Sequence, residues 1–458
     1  MKILICGAGQ VGFGIAERLA SEQNDVTVVD TSPELVANTA ERLDVRGVVG
    51  HGSQPDTLRK AGAEETDMII AATISDEVNM VACQVAHSLF NIPTKIARIR
   101  AQNYLEPVWR DLFSRDHLPI DVIISPELEV GEAVLRSLAY PGAFEICFFA
   151  EDKVAMVGVH CDEDCPLLDT PLNQLTELFP DLIANTVGIL RKGKIFVPGG
   201  NDQLLAGDSA YLIVSHGHIN RLLTAFGHEE KPGRSIIIGG GGNIGRYVAR
   251  QLEIRHEKAR IKVMELDRQC AMATADSLER AVVLNGSILD EELLREAGVE
   301  TTETFVALTN DDKTNLLSAV IAKQAGCKTV LSLLSDKTYG DIVGTLGIDA
   351  HINPRATTVS TILRHVRRGR IRGVYSIENG QAEVIEAEAL KTSTLMGTAL
   401  RDAELPDGVR FGLIIRGEEI IVPGGETQLQ PHDRIIIFSK KDDVRKVEQM
   451  FRVSLEFF

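Results

Sequence analysis

Short apolar runs alternate with amphipathic stretches over residues 1–125, and this alternation governs most of what the sequence predicts. Segments 2–6, 26–29, 45–49, 68–72 and 94–99 are rich in valine, isoleucine and alanine and short enough to be buried strands. Segments 11–21, 33–41 and 77–90 instead space their apolar residues at helical intervals, and Lys60-Ala61-Gly62 closes a further short helix. Strands separated by helices imply a parallel, doubly wound sheet. In 94–99 the alternation places Arg98, and Arg100 just beyond it, on one face and apolar residues on the other, which reads either as a nucleotide or subunit contact or as a solvated or salt-bridged edge. Asp121 to Ser125 ends the unit, and Pro126 is suited to the first position of a helix running through Leu138.

After Pro141-Gly142 the pattern turns to β. Segments 144–149, 154–159, 183–190, 195–197 and 210–214 read as strands with one helix near 171–178, and Arg191 to Lys194 makes a hairpin turn. This is a small α+β domain, followed by a Gly- and Pro-containing linker at 227–233.

The second half repeats the first. Asn285-Gly286-Ser287 answers His51-Gly52-Ser53, and Thr309 to Asn315 answers Thr73 to Asn79. Asp349 to Pro354 answers Asp121 to Pro126, and Val422-Pro423-Gly424-Gly425 echoes Val197-Pro198-Gly199-Gly200. The fold class is therefore α/β, a tandem duplication of a doubly wound parallel sheet followed by a small α+β domain. The expected segments are 1–125, 140–226, 233–354 and 371–456.

Each doubly wound unit opens on glycines that carry chemistry. Gly7-Ala8-Gly9-Gln10-Val11-Gly12 follows the first strand at the G-x-G-x-x-G spacing, and Gly240-Gly241-Gly242-Asn243-Ile244-Gly245 repeats it. Without Cβ atoms such a turn lets backbone N–H groups approach a pyrophosphate at a helix N-terminus. Asp30 and Glu265 then close the next strand, where an acid accepts from a ribose. Thr31 and Ser32 follow Asp30 with no arginine to take a 2′-phosphate, which favours NAD over NADP. Arg268 near Glu265 leaves the second preference open. Where the first copy has Arg98 and Arg100, residues suited to phosphate, the second is read as Leu331-Ser332-Leu333.

Composition narrows the functional classes. A formal charge of −17 argues against nucleic acid or an anionic bilayer as the main partner. The apolar stretch 78–92 is too short to cross a membrane, and the N-terminal run fits a βα unit better than a leader peptide. Seven cysteines form no disulfide framework and point to a reducing cytosol. Cys161 and Cys165 flank acids in what is expected to be a surface loop rather than a metal site. The basic run from Arg364 to Arg372 reads either as a solvated helix end or as a contact for a partner, a phosphate or a membrane surface. No grouping of His, Cys, Ser or Asp makes acid–base machinery, and no G-x-x-x-x-G-K-[ST] is present, so binding without turnover is expected.

With G-x-G-x-x-G, a strand-closing acid, Gly-Ser, Ala-Gly, T-x-x-D-x-x-N and a D-x-x-x-x-P helix start present twice, each set followed by a small β-rich domain, the chain resembles tandem RCK proteins, built of TrkA-N and TrkA-C domains. The resemblance covers nearly the whole chain. It implies a protein on the cytoplasmic face of the membrane that binds NAD(H), with ATP or ADP as a further class. It further implies a homo-oligomeric ring, expected as a tetramer, that controls a potassium-translocating membrane subunit of the TrkH/TrkG type. By motif position Gly7, Ala8, Gly9, Gln10, Val11, Gly12, Asp30, Gly52, Thr73, Ile74, Arg98 and Arg100 would line a first nucleotide site. Gly240, Gly241, Gly242, Asn243, Ile244, Gly245, Glu265, Gly286, Thr309 and Asn310 would line a second. An NAD-dependent oxidoreductase, or a nucleotide sensor with no transporter partner, are the competing readings.

Overall fold

The computed structural model describes residues 1–340, 342–366, 371–391, 393 and 395–451. In the first segment six strands, β1 (Lys2–Cys6), β2 (Asp25–Asp30), β3 (Arg46–Val49), β4 (Met68–Ala71), β5 (Thr94–Arg98) and β6 (Val122–Ile124), form one parallel sheet in the order β3-β2-β1-β4-β5-β6. Between and after them run α1 (Gln10–Ser21), α2 (Pro33–Arg42), α3 (Pro55–Lys60), α4 (Asp76–Phe90) and α5 (Pro126–Ala139). Local chemistry sets the helix starts. Ser32 and Ser75 accept from the N–H groups of Leu35 and Val78 at 3.3 and 3.2 Å, and Pro33 fills the first turn of α2. Asn91, in the left-handed conformation, ends α4.

The alternation along β5 does not leave one face of the strand open to solvent. Lys95, Ile96, Ala97 and Ile99 are all buried, because helices cover both faces of a parallel sheet. Lys95 is tolerated because its Nζ lies 2.7 Å from Asp121 and donates to the carbonyls of Ile92 and Pro93.

A five-stranded antiparallel sheet follows, built from β7 (Glu145–Phe149), β8 (Val154–His160), β9 (Ala184–Arg191), β10 (Lys194–Phe196) and β11 (Ser209–Ser215), with α6 (Leu172–Leu178) and α7 (Ile219–Ala225). Cys161 and Cys165 do not lie on its surface. Both are buried among Leu167, Leu204 and Ile219, and burial pushes both thiols above their ordinary pKa.

The second half reproduces this order. Strands β12 (Ser235–Gly239), β13 (Arg260–Glu265), β14 (Val282–Asn285), β15 (Thr304–Ala307), β16 (Thr329–Leu333) and β17 (Ala350–Ile352) pair as β14-β13-β12-β15-β16-β17. Its helices are α8 (Asn243–Arg255), α9 (Arg268–Ser277), α10 (Glu291–Glu296), α11 (Asp312–Gln324), α12 (Lys337–Gly340) and α13 (Pro354–Val366). A second antiparallel sheet comprises β18 (Ile371–Ile377), β19 (Ala382–Glu388), β20 (Val409–Arg416), β21 (Glu419–Ile421) and β22 (Arg434–Lys440), and α14 (Val444–Met450) follows it. Residues 367–370 of the basic run lie outside the described residues; Arg372, at its end, pairs with Glu388 at 2.5 Å.

Two features are not apparent from the repeat alone. The two antiparallel sheets share one core, in which Met156, Tyr211 and Ile213 of the first pack with Val384, Leu413, Ile436 and Phe438 of the second. Each such side chain contributes roughly 1.5–3 kcal/mol. Gly188 makes room for the Phe438 ring, to which a Cβ there would come within 2.7 Å. The chain also divides into two compact units that exchange material between its halves. One joins Met1–Val130 to Pro354–His365, so α13 belongs with the first doubly wound unit. The other contains Gly131–Asn353 and Val366–Phe458.

Candidate functional site

In the order β3-β2-β1-β4-β5-β6 the direction of winding changes between β1 and β4, where a doubly wound sheet binds ligands at the carboxyl ends of its strands. The glycine turn leaves β1 at this point. Gly7 has φ 113°, and a Cβ there would stand 2.7 Å from the Ala72 carbonyl oxygen at the end of β4. At Gly12 a Cβ would overlap the carbonyl of Gly7, so only glycine lets α1 begin this close to the strand. Around Gly9, by contrast, a Cβ would meet nothing within 4 Å, and Gly9 caps α1 without a side-chain hydrogen bond. The first-turn N–H groups of Gln10, Val11 and Gly12 thus gain no cap from a Gly9 side chain, an arrangement suited to an anion.

Asp30 closes β2 beside this turn. Its Oδ2 accepts from Ala8 N–H at 2.7 Å and its Oδ1 from Ser32 N–H at 2.9 Å. A carboxylate has about four acceptor positions, so the acid that fixes the loop retains capacity for ribose hydroxyls. Across the crevice, Thr73 follows β4. Its N–H and hydroxyl donate to Asn79 Oδ1 at 2.9 and 2.7 Å, and Asn79 Nδ2 donates to the carbonyls of Thr73 and Arg98 at 3.3 and 2.9 Å. Asn79 was visible only as part of a repeated motif; its role as the clamp between β4 and β5 is a structural finding. The neighbouring Ile74 is 87% exposed, an apolar side chain on the surface of this loop.

The two arginines part company. Arg98 is part-buried, its Nη1 lies 3.5 Å from the Thr73 carbonyl, and its buried Nε has no partner among the described residues. Desolvation lowers its pKa from the ordinary value, although an arginine so placed stays charged. Arg100 turns away: its Nε donates to Glu127 at 2.8 Å, and its N–H donates to the Asp76 carboxylate. Gly52 is buried, and a Cβ there would stand 2.9 Å from Cys6 Cβ, so packing against β1 explains that glycine.

The second site repeats the frame. Gly240 has φ 111°, Gly241 N–H donates to Glu265 Oε2 at 2.6 Å, and Asp267 N–H donates to Glu265 Oε1 at 2.9 Å. Gly242 caps α8 without a side-chain bond, and Asn243, Ile244 and Gly245 open the helix. Gly286 N–H donates to the Glu265 carbonyl at 2.9 Å. Thr309 is clamped by Asn315 at 2.8 and 2.6 Å, and Asn310, the counterpart of Ile74, is exposed. The correspondence of Leu331-Ser332-Leu333 with the arginines is corrected by register. Thr94 pairs with Met68 and Thr329 with Thr304, which puts Leu333 at the position of Arg98 and Ser335 at that of Arg100. Leu333 is 3% exposed, so an apolar side chain replaces the buried cation. Among the described residues no group of three or more His, Cys, Asp or Glu is arranged to hold a metal ion. No described helix is long and apolar enough to cross a membrane.

Comparison with known proteins agrees with this duplicated frame. The TrkA-N domain family matches residues 3–126 and 236–354, and the TrkA-C domain family matches 156–227 and 384–452. Trk system potassium uptake protein TrkA of Azorhizobium caulinodans is 57% identical over 458 residues, covering all of both chains, and that of Halomonas elongata is 40% identical over 462 residues, again end to end. Among solved structures, the GsuK RCK domain superposes with a TM-score of 0.61 over 98% of this chain and 94% of that one, at 16% identity. The GsuK channel bound to NAD gives 0.60 over 98% and 78%, at 17% identity. These structural likenesses establish a common fold. Identity across the full length does more: the chain belongs to the TrkA family of Trk system potassium uptake proteins.

Proposed function

We propose that the chain is a cytosolic regulatory subunit that binds NAD(H), with ATP or ADP as a further class, and thereby gates a potassium-translocating membrane subunit of the TrkH/TrkG type as a homo-oligomeric ring. The observation that carries this reading is the first glycine turn, where an open Gly9, the first turn of α1 and the Asp30 carboxylate converge on one crevice. NAD binding by a channel of the same fold supports the choice of ligand. The first site comprises Gly7, Ala8, Gly9, Gln10, Val11, Gly12, Asp30, Thr73, Ile74 and Arg98; Gly52 and Arg100 support it from behind. The second comprises Gly240 to Gly245, Glu265, Gly286, Thr309 and Asn310. The domain boundaries at 125, 140, 226, 233, 354 and 371 belong to the same reading.

Binding rather than turnover is the mechanism. A ligand shifts an equilibrium only by its different affinity for the two states, and tenfold modulation of flux needs about 1.4 kcal/mol. Potassium flux through the membrane subunit reconstituted with this chain should change on adding NADH, ATP or ADP. The change should be absent with Asp30→Ala. A flux indifferent to all three nucleotides would remove the regulatory reading.

A further inference from the structure

The repeat makes α1 the counterpart of α8, through Gly12 and Gly245, and α5 the counterpart of α13, through Pro126 and Pro354. In one compact unit α13 lies on α1; in the other, α5 lies on α8. Two contacts descended from one repeat need only one set of residues, yet these use opposite sets.

On α1 the contact position is Gly14. A Cβ there would stand 2.6 Å from Arg355 Nε and 3.2 Å from Val359 Cγ2 of α13, so the Rossmann helix supplies the hole and the connecting helix the knob. The counterpart of Gly14 on α8 is Tyr247, and the counterpart of Val359 on α5 is Gly131. There the Tyr247 ring occupies the space a Gly131 side chain would need. Knob and hole have changed sides.

Charge is reversed in the same sense. Arg355 on α13 lies 3.3 Å from Glu17 on α1 and stands 5.3 Å above the Phe13 ring. On α8 the cation belongs to the Rossmann helix: Arg255 lies 2.6 Å from Glu132 of α5, and the Tyr247 hydroxyl donates to the same carboxylate at 2.6 Å. Burial opposes the charge of Glu132, but the bonds from Arg255 and Tyr247 outweigh it and hold the carboxyl below the usual range. By position, Glu17 of α1 and Glu22 at its C-cap become Arg250 and Arg255 of α8, while Glu127 and Glu132 of α5 become Arg355 and Ser360 of α13.

We propose that these residues form a pairing code through which each Rossmann unit accepts the connecting helix of the other half and rejects its own, so that like halves of two copies of this chain do not pair. Between two first halves, Gly14 would face Gly131 across a void and Glu17 would face Glu127. Between two second halves, Val359 would meet the Tyr247 ring and Arg255 would face Ser360, with no carboxylate. Rejection by overlap and by unpaired charge is a recognised source of specificity. The tether within one chain already favours the correct partner. The code closes the alternatives that arise when several copies meet.

The test uses the full chain. Gly131→Val with Tyr247→Gly, combined with Glu132→Arg and Arg255→Glu, gives the second contact the polarity of the first at these positions, so that between two first halves the Gly131→Val side chain fills the hole at Gly14 and the Glu132→Arg cation faces Glu22, leaving only Glu17 opposite Glu127 unfavourable. Refolded from denaturant over a range of concentrations, the wild-type protein is expected to return to one mass by light scattering. The fourfold variant is expected to give additional, heavier, chain-exchanged species that increase with concentration. A folded variant that returns to the wild-type mass throughout overturns the code. Because so altered a chain could fail to fold, Glu132→Arg, Arg255→Glu and their combination are compared by hydrogen exchange along α5. Each single change is expected to speed exchange about 5-fold, and the pair to recover most of it. A pair no better than its worse member also overturns the proposal.

Discussion

The side-chain oxygen of Asn79 accepts both the N–H and the hydroxyl of Thr73, so one buried amide fixes the loop that faces the glycine turn. Asn315 does the same for Thr309. Asn79→Ala leaves those donors without their acceptor, at about 1–3 kcal/mol for each buried group left unpaired. Nucleotide affinity at the first site should fall roughly tenfold or more, which is about 1.4 kcal/mol. Asn315→Ala should affect only the second. Calorimetric titration of the two variants checks this, and equal losses at both sites from either change would refute it.

Gly9 and Gly12 separate ligand approach from packing. A Cβ on Gly9 meets nothing in the protein, and its φ of −67° suits any residue, so Gly9→Ala should keep the wild-type Tm while weakening nucleotide binding. Gly12→Ala overlaps the Gly7 carbonyl and should destabilise the first unit by about 1–3 kcal/mol as well. Differential scanning calorimetry beside the binding titration distinguishes the two.

Arg98 and Leu333 occupy equivalent positions, one a part-buried cation and the other apolar. Arg98→Leu should cost affinity for ATP and ADP at the first site, by roughly ten- to a hundredfold if one charge-assisted contact of roughly 1.5–3 kcal/mol is lost, and should affect the less charged NAD⁺ less. Parallel titrations with the three ligands measure the ratio.

Two tyrosine–carboxyl hydrogen bonds lie where the two antiparallel sheets meet. Tyr375 of β18 donates to Glu145 of β7 at 3.0 Å, and Tyr211 of β11 donates to Glu378 at 2.7 Å. Burial, and then repulsion from Glu378, push the Glu145 carboxyl up to about 8. The folded state therefore holds a proton that the unfolded chain releases at its ordinary value, so the folded form binds more protons between those limits. Stability from this group falls as pH rises from about 4.5 to about 8 and is level above that, at up to about 1.4 kcal/mol per pH unit. Glu145→Gln should flatten that part of the stability profile. Denaturant melts at pH 5, 6, 7 and 8 would reveal an unchanged slope if the assignment is mistaken.

What was legible in the sequence was what local spacing encodes. The glycine turn, the acid closing the second strand and the helix start at Pro126 act within a few residues of themselves, and their consequences follow from backbone geometry. Residues whose surroundings come from distant segments were misplaced. Cys161 and Cys165 were expected in a surface loop, but the core of their sheet encloses them. The offset between Arg98 and Leu333 needed strand register, which sequence spacing does not supply because the loops before β5 and β16 differ. The shared core of the two antiparallel sheets and the exchange of α5 and α13 could not be read from either half, because each half carries only one side of the contact.

The most direct measurement is equilibrium titration of NADH into the purified full-length protein, with the 340 nm absorbance of the cofactor followed at the same time. Saturable binding without consumption of NADH, weakened about tenfold or more by Asp30→Ala while the protein stays folded, is the expected result. Binding unaffected by Asp30→Ala, or steady oxidation of the cofactor, would contradict the central claim that the glycine turn and its acid form a site for ligand sensing rather than chemistry.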